Sequence, residues 1–249
     1  MGTGTDEIGF GLGLLALTAL TLGLGRWAGT GLGWLPLAAI LRAAVQLSVI
    51  ALLLRGILEV PWTVAAFVVL MLTTASWTAS GRLRELHHGR RTAVVGVLVG
   101  ALVTLVVIFS LRLVALEARY VIAVGGIIVG NSMTAATLAG RNFLRGARAR
   151  SSEVEAWLSL GATPRQAHEE IGREAARESL LPTLDQTRST GLVTLPGAFV
   201  GALFGGASPF VAAQFQLVVL AGIALTMTLT GIVVTRLAGR TPYVLTERS

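Results

Sequence analysis

Few side chains in this sequence could bind a solute, and those few interrupt apolar stretches. Arg42 and Gln46 are four residues apart, so on a helix they share one face and could together hold an anionic or carbonyl group. Inside a membrane an arginine costs about 2.5–3.5 kcal/mol, so its guanidinium needs a partner there. The pair therefore predicts either a contact with substrate or a hydrogen-bond clamp to a neighbouring helix.

A second polar group, Asn131, Ser132 and Met133, lies in the middle of another apolar stretch. Its hydrogen-bonding side chains either join neighbouring helices or line a pathway for substrate, and both interpretations stay open. Further along the chain, Pro196 and Gly197 stand in a glycine-rich apolar stretch. Proline lacks a backbone donor and frees a carbonyl, so these two residues predict a hinge or a broken helix.

The residue types needed for catalysis or metal binding are sparse. The chain has no cysteine and no lysine, which excludes thiol chemistry and a P-loop ATPase. Its histidines, His87, His88 and His168, fall in polar connections, where we expect them to be solvated. No aspartate or glutamate lies in the long apolar stretches. The sequence therefore assigns no catalytic residue, leaves any metal site unknown and disfavours a bare cation held within the membrane.

The elements that must position these residues are membrane helices. The chain has 249 residues, 53% of them hydrophobic and only 13% charged, with a mean hydropathy of +0.74; soluble domains carry about 25% charged residues. We therefore expect an all-α, polytopic integral membrane protein with a single domain over residues 1–249. About 17–25 residues cross a bilayer as a helix, and seven such spans are predicted: 8–25, 33–54, 60–80, 92–111, 120–140, 188–205 and 214–236.

The distribution of arginine predicts the orientation. Sixteen of the 20 arginines lie in one set of alternate connections and three lie in the other. Because arginine-rich connections stay in the cytoplasm, we expect the N-terminus outside and the C-terminus in the cytoplasm, in agreement with an odd number of spans. The expected location is the cell inner (cytoplasmic) membrane, in contact with lipid. Arginines that flank spans without interleaved aromatics do not favour nucleic-acid binding.

The one long polar segment, residues 151–181 between spans five and six, predicts a cytoplasmic hairpin of two capped helices. A capping box begins at Ser152, and Gly161 is placed to end the first helix. A second capping box begins at Thr163 with proline after it, and the second helix is expected to reach Pro182. Such a hairpin is rigid enough to transmit movement, although an ordinary surface hairpin has the same pattern.

Part of this hairpin resembles the EAA motif, by which permeases of importer-type ABC transporters engage their ATPase. Glu155-Ala156, Gly161 and Ile171 have the spacing of the motif, whereas Trp157 replaces its second alanine and the Leu-Pro end arrives late, at residues 181–182. The resemblance implies that the ATPase contacts residues around the turn: Glu155, Trp157, Gly161, Ala162, Thr163 and Pro164.

Four segments extend the resemblance to the FetB family of ABC permeases: ILRAAVQL (40–47), GGIIVGNSM (125–133), LSLGATPRQA (158–167) and GLVTLPG (191–197). This family is linked to iron export and metal resistance, and the resemblance covers essentially all of the predicted spans. It implies a homodimeric permease that works with a separate FetA-like ATP-binding subunit. ATP and Mg²⁺ would be bound by that partner, and this chain would bind no cofactor.

We therefore expect a non-enzymatic permease subunit that exports iron or a related metal species, with ATP hydrolysis supplied by the partner. Without carboxylates in the spans, the expected substrate is chelated, anionic or hydrated. Two other functions stay open, namely an ABC permease for a non-metal anionic small molecule and a membrane regulator that docks an ATPase without transporting. The short outward connections favour transport over regulation, because a regulator would use a large outer domain.

Overall fold

A computed structural model describes residues 4–241, with side chains described for residues 9–54, 56, 60 and 62–241. Helices dominate this part of the chain and confirm the all-α prediction. In chain order they are α1 Gly4–Trp27, α2 Leu35–Glu59, α3 Pro61–Arg82, α4 Gly89–Ser110, α5 Ala118–Ala149, α6 Ser151–Ser159, α7 Pro164–Ala167, α8 Glu169–Ser189, α9 Gly197–Phe204 and α10 Pro209–Ala238. They belong to two compact units, divided after Val60.

Six helices in the described part of the chain are long and apolar enough to cross a membrane, by length and composition. They are Gly9–Trp27, Leu35–Leu54, Trp62–Arg82, Gly89–Ser110, Ala118–Ala149 and Pro209–Ala238. These helices coincide with six of the seven predicted spans, and the prediction of a polytopic membrane protein is confirmed. The single-domain organisation stays a prediction.

The first unit, Met1–Val60, contains α1 and α2. Its connecting turn depends on glycine, because Gly29, Gly31 and Gly33 all have positive φ angles that other residues seldom adopt. The Arg26 guanidinium lies over the Trp34 ring, 4.6 Å from its centroid, and closes the same turn. The two helices therefore form a helical hairpin with a fixed turn.

The second unit, Pro61–Ser249, is a bundle in which α10 packs against α4, α5 and α8, and α3 packs against α4 and α5. Its core includes Phe143, Ile128 and Met227, each at most 1% exposed. The backbones of α4 and α10 approach closely. A Cβ atom at Gly100 would overlap the Thr230 hydroxyl and lie 2.9 Å from a carbonyl oxygen of α10.

The prediction of a spanning helix over 188–205 is wrong. Helix α8 runs through Pro182, where the second hairpin helix was expected to end, and stops only at Ser189. Residues 190–196 are not helical, and α9 is only eight residues long. The interruption has a local cause, because Gly191 adopts a φ of 89° and Pro196, which lacks a backbone N–H, immediately precedes α9.

Helix α8, the interruption and α9 nevertheless run antiparallel to α10 along much of its length. Along the two chains the meeting points fall in opposite order: His168 with Gly239, Gly172 with Thr235, Ser179 with Gly231, Thr183 with Met227, and Phe199 with Gln216. A discontinuous helix therefore occupies the place of the predicted sixth span, and it begins about 20 residues earlier in the sequence. We call the end of this bundle that holds α6 and α7 the hairpin end, and the opposite end the far end.

Candidate functional site

The hairpin formed by α6, α7 and the start of α8 turns on Gly161, as predicted. Gly161 has a φ of 88°, and its N–H donates to the Leu158 carbonyl at 3.0 Å. The N–H of Ala162 donates to the Trp157 carbonyl at the same distance. This pair of bonds is the Schellman ending, in which a left-handed glycine satisfies the last carbonyls of a helix.

The second hairpin helix begins with the predicted capping box. The Thr163 N–H donates to Gln166 Oε1 at 2.9 Å, and the Gln166 N–H donates to the Thr163 hydroxyl. The first capping box, predicted at Ser152, is wrong. Helix α6 begins one residue earlier and lacks a side-chain cap, because only Arg150 separates it from α5. Two ordered helix ends thus meet across the turn, and the second is capped by a side chain.

Buried side chains and ion pairs fix the hairpin to the bundle. Val154 of α6 and Ile171 of α8 are almost fully buried. Arg150 pairs with Glu174 of α8, and Arg148 pairs with Glu85 of the α3–α4 connection at 2.7 Å. Within α8, Arg173 pairs with Glu169 at 3.0 Å. The hairpin is therefore held in one position relative to α5 and α8.

His168 is buried where the hairpin packs against the bundle, which corrects the expectation that it is solvated. It is only 1% exposed, and its ring lies 5.6 Å from that of Phe143. Its Nδ1 donates to the Pro164 carbonyl at 2.8 Å. The burial follows from its position, since His168 separates α7 from α8 and lies opposite Gly239, the residue that follows α10. Of the other two histidines, His88 is exposed as expected and His87 is half-buried.

The predicted ATPase-coupling residues all lie around the tip of the hairpin. Glu155, Gly161 and Thr163 are exposed, and Ala162 and Pro164 are half-buried. Trp157 exposes 51% of its surface. Leu160, which sequence reasoning missed, is 82% exposed. Apolar side chains this exposed on a rigid turn are typical of a surface that a partner covers.

A groove of about 720 Å³ adjoins the tip. Glu153, Glu169 and Glu170 stand along it together with Trp157 and Arg173. The rim is therefore mainly acidic, and the apolar tip rises beside it. A partner that fits this surface would bring an apolar socket and basic side chains.

The predicted pathway residues are divided between the two units. Arg42 and Gln46 are exposed on α2 in the first unit, and neither has a hydrogen-bonding or ion-pair partner within the described residues. On α5, Asn131 donates to the Ile127 carbonyl and Ser132 to the Val129 carbonyl, each at 2.8 Å. Met133 packs against the core. These donors are satisfied within their own helix, and their role in a pathway stays a prediction.

Pro196 and Gly197 lie where α9 begins, beside the helix interruption. The N–H of Phe199 donates to Gln216 Oε1 of α10 at 3.1 Å, which fixes the start of α9. Its glycine face does not pack tightly, and Gly201 and Gly205 line a cavity of about 730 Å³ at the far end. The broken helix predicted here is thus present, whereas movement about it stays a prediction.

Two charged residues of α8 occupy a place that sequence reasoning did not give them. Asp185 and Arg188 pair at 3.4 Å, with 68% and 80% of their side chains exposed. Their helix, however, is alongside the middle of α10 at this point, because neighbouring Thr183 contacts Met227. The available signal was the amphipathic pattern of α8, whose charged face hides it from a hydropathy scan.

These features define a polytopic, all-helical membrane protein with a rigid hairpin at one end of a helix bundle. The chain belongs to the uncharacterised protein family UPF0014, whose model matches residues 11–243. This confirms the predicted FetB-like family.

The chain is similar in sequence to at least three curated proteins. It is 36% identical to the UPF0014 membrane protein STAR2 of Oryza sativa subsp. japonica, over 82% of this chain and 73% of that protein. It is 34% identical to the UPF0014 membrane protein slr1647 of Synechocystis sp., over 92% and 90%. It is 32% identical to the probable iron export permease protein FetB of Escherichia coli, over 72% and 70%. No solved structure matches the chain.

Proposed function

We propose that this chain is the permease subunit of an ABC transporter that exports iron or a related metal species. The observation that carries the proposal is the anchored hairpin, whose exposed tip at Trp157 and Leu160 stands on capped and ion-paired helices. The similarity to a probable iron export permease supports the same function. ATP and Mg²⁺ would be bound by a FetA-like partner, and this chain would need no cofactor.

The hairpin suits the transmission of force. A movement imposed on the tip reaches α8 through the short helix α7, and the Arg150–Glu174 ion pair carries it to α5. Helix α8 continues from there to the middle of the bundle. Stiff helices that shift as units are the usual means by which a local event moves a membrane domain. In this mechanism Glu155, Gly161, Ala162, Thr163 and Pro164 contact the ATPase beside Trp157.

The proposed orientation places the hairpin end in the cytoplasm and the N-terminus outside, in the cell inner membrane. The arginines on which this rests include Arg141, Arg145 and Arg148 of the last turns of α5, close to the hairpin. The discontinuous crossing by α8 and α9 keeps the number of crossings odd. Two copies of the chain would enclose the path, as in a homodimeric permease.

The substrate can be a metal cation. The expectation of a chelated, anionic or hydrated substrate rested on the absence of carboxylates from the spans, and Asp185 beside the middle of α10 removes that premise. A carboxylate oxygen is a suitable ligand for a hard divalent cation, which can retain part of its water shell in an aqueous path. We therefore favour a partly hydrated metal cation over the anionic alternative.

Co-purification with the FetA-like subunit tests the proposed docking. Gly161→Val places a β-branched residue at a φ of 88°, and Trp157→Ala removes the aromatic tip. Each should reduce the amount of bound ATPase at least about tenfold, which is 1.4 kcal/mol of binding free energy. Trp62→Ala, which alters an exposed tryptophan at the start of α3, is the matched control and should bind normally. Undiminished binding by both hairpin variants would contradict the docking role.

A further inference from the structure

The depth of Asp185 follows from contacts of its helix. Thr183 Oγ1 lies 3.2 Å from the sulfur of Met227, and Met227 is 11 residues before the end of α10 at Ala238. At 1.5 Å per residue this is about 16 Å from the hairpin end. Asp185 lies slightly further in. Because the hydrocarbon core of a bilayer is about 30 Å thick, Asp185 and Arg188 both lie within it.

Contacts across the bundle agree with this depth. A Cβ atom at Gly222 of α10 would lie 2.9 Å from the side chains of Ile108 of α4 and Ile128 of α5. Residue 222 is therefore level with Ile128 inside α5 and with Ile108, two residues before the end of α4. The pair on α8 lies between the levels of this contact and of Met227. Its charged groups are thus at a level where α4, α5 and α10 all have the length and composition of membrane spans.

The face of α8 that carries the pair is turned away from α10. Gly172, Ser179 and Thr183 face α10, whereas Asp185 and Arg188 keep 68% and 80% of their side chains exposed. A charged side chain facing lipid at this depth costs about 2.5–3.5 kcal/mol on insertion scales. Charged residues in membrane proteins accordingly face a water-filled cavity or a protein partner. The helix interruption that follows also occurs in membranes only where it is shielded from lipid.

We propose that the Asp185–Arg188 face of α8 lines the aqueous translocation path, and that the Asp185 carboxylate binds a divalent metal cation there. In the empty site Arg188 neutralises Asp185, and the entering cation displaces the guanidinium. Interrupted membrane helices commonly form ion sites, since their unwound backbone exposes carbonyl oxygens. Residues 190–196 lie next to the pair and could supply such ligands. The identification of this cation as the transported species rests on the proposed function.

Water access to this face can be measured directly, because the natural chain has no cysteine. Single variants Asp185→Cys and Arg188→Cys, in the full chain reconstituted in liposomes, would be exposed to a charged, membrane-impermeant thiol reagent. The matched control is Val106→Cys, an exposed apolar position of α4 at similar depth. Both α8 cysteines should react at least tenfold faster than the control. Rates as slow as the control for both would overturn the proposal.

Cation binding is tested with the same reagent. Mn²⁺ should slow the modification of Arg188→Cys at least fivefold, since the cation bound to Asp185 shields the neighbouring thiol. The protection should vanish in Asp185→Asn/Arg188→Cys. Protection that persists without the carboxylate, or its absence from both variants, would overturn the cation site. Protection by an anion such as citrate alone would also overturn it, and would assign the site to an anionic substrate.

These experiments need neither ATP nor the partner subunit. A chain that shows rapid modification and Mn²⁺ protection but no ATP-driven transport would retain the cation site and lose the proposed function. A chain that transports metal but lacks both signals would retain the function and lose this site.

Discussion

Helices α8 and α10 run side by side in opposite directions, and they differ in almost every other respect. Helix α10 is continuous for 30 residues, has no acidic residue and is buried against α4 and α5. Helix α8 carries charges along one face, contains Pro182 and gives way to seven non-helical residues in mid-bundle. Helix α10 therefore has the features of a structural core helix. Helix α8 has the composition and the interruption of an element that binds a polar solute.

The comparison teaches that burial and charge are divided between the two faces of α8. Its small residues Gly172, Ala176 and Ser179 allow the close approach to α10. Asp185 and Arg188 on the other face gain nothing from that contact. They are tolerated because each neutralises the other and because water can reach them in the proposed path. A charged helix can therefore cross the bundle without being a surface helix.

The largest effect should come from disturbing the packing of α10 against α4. Gly100→Leu should destabilise the folded chain by about 3 kcal/mol or more, because its side chain would overlap Thr230 and the backbone of α10. The thermal unfolding midpoint in detergent measures this loss. Gly130→Leu is the control, since no neighbouring atom lies within 4 Å of a Cβ atom there. Equal losses in both variants would show that the α4–α10 contact is not specially tight.

The second-largest effect should come from removing the charges that distinguish α8 from α10. Asp185→Leu/Arg188→Leu removes the two charges from the last turns of α8, and it should fold normally, since apolar replacement of a charge pair is often neutral or stabilising. Transport should fall at least about tenfold, or 1.4 kcal/mol. Metal uptake or release by proteoliposomes containing the partner subunit measures it. Full activity in the double variant would contradict a role for this face.

The single substitution Arg188→Leu sharpens the same comparison. It leaves the Asp185 carboxylate without its counter-charge at mid-bundle, so the yield of folded protein should fall below that of the double variant. This order of yields, measured by size-exclusion profile, is expected only if the two residues form a pair inside the membrane. Yields that do not differ would place the pair in bulk water.

The smallest effect concerns the link between hairpin and α8. Thr163→Ala removes the side-chain cap of α7 and should cost about 1 kcal/mol of local stability. Hydrogen exchange should accelerate over residues 163–168 and leave α10 unchanged. Thr134→Ala, which removes an exposed hydroxyl bonded within its own helix, is the control and should leave these residues unaffected. Unchanged exchange at the cap would show that the turn is rigid without it.

Much of this arrangement was accessible from the sequence. Six spans follow from hydropathy alone, and the turn of the hairpin follows from Gly161 and the Thr163 capping box, because their local geometry is encoded in a few residues. The family was predicted from the resemblance of four sequence segments and is confirmed. The spans and the turn share a cause, since each depends on residues close together in the chain.

The failures depend on contacts between distant segments. His168 looks like a loop residue until α10 is placed over it, and α8 looks like a surface helix until its small residues meet Gly231 and Thr235. The depth of Asp185 is fixed by Met227, 42 residues further along the chain. A hydropathy average cannot separate the two faces of α8, so the predicted span was displaced towards the glycine-rich segment that follows.

ATP-driven transport in proteoliposomes tests the central claim most directly. The chain and the proposed FetA-like subunit would be reconstituted together, with free or chelated iron(II) supplied, and ATPase activity and metal movement would be followed in parallel. We predict that free iron(II) stimulates ATP hydrolysis and moves only when ATP is present, and that Gly161→Val abolishes both responses. ATPase activity that ignores the metal, with no metal movement, would contradict the account and favour a membrane regulator that does not transport.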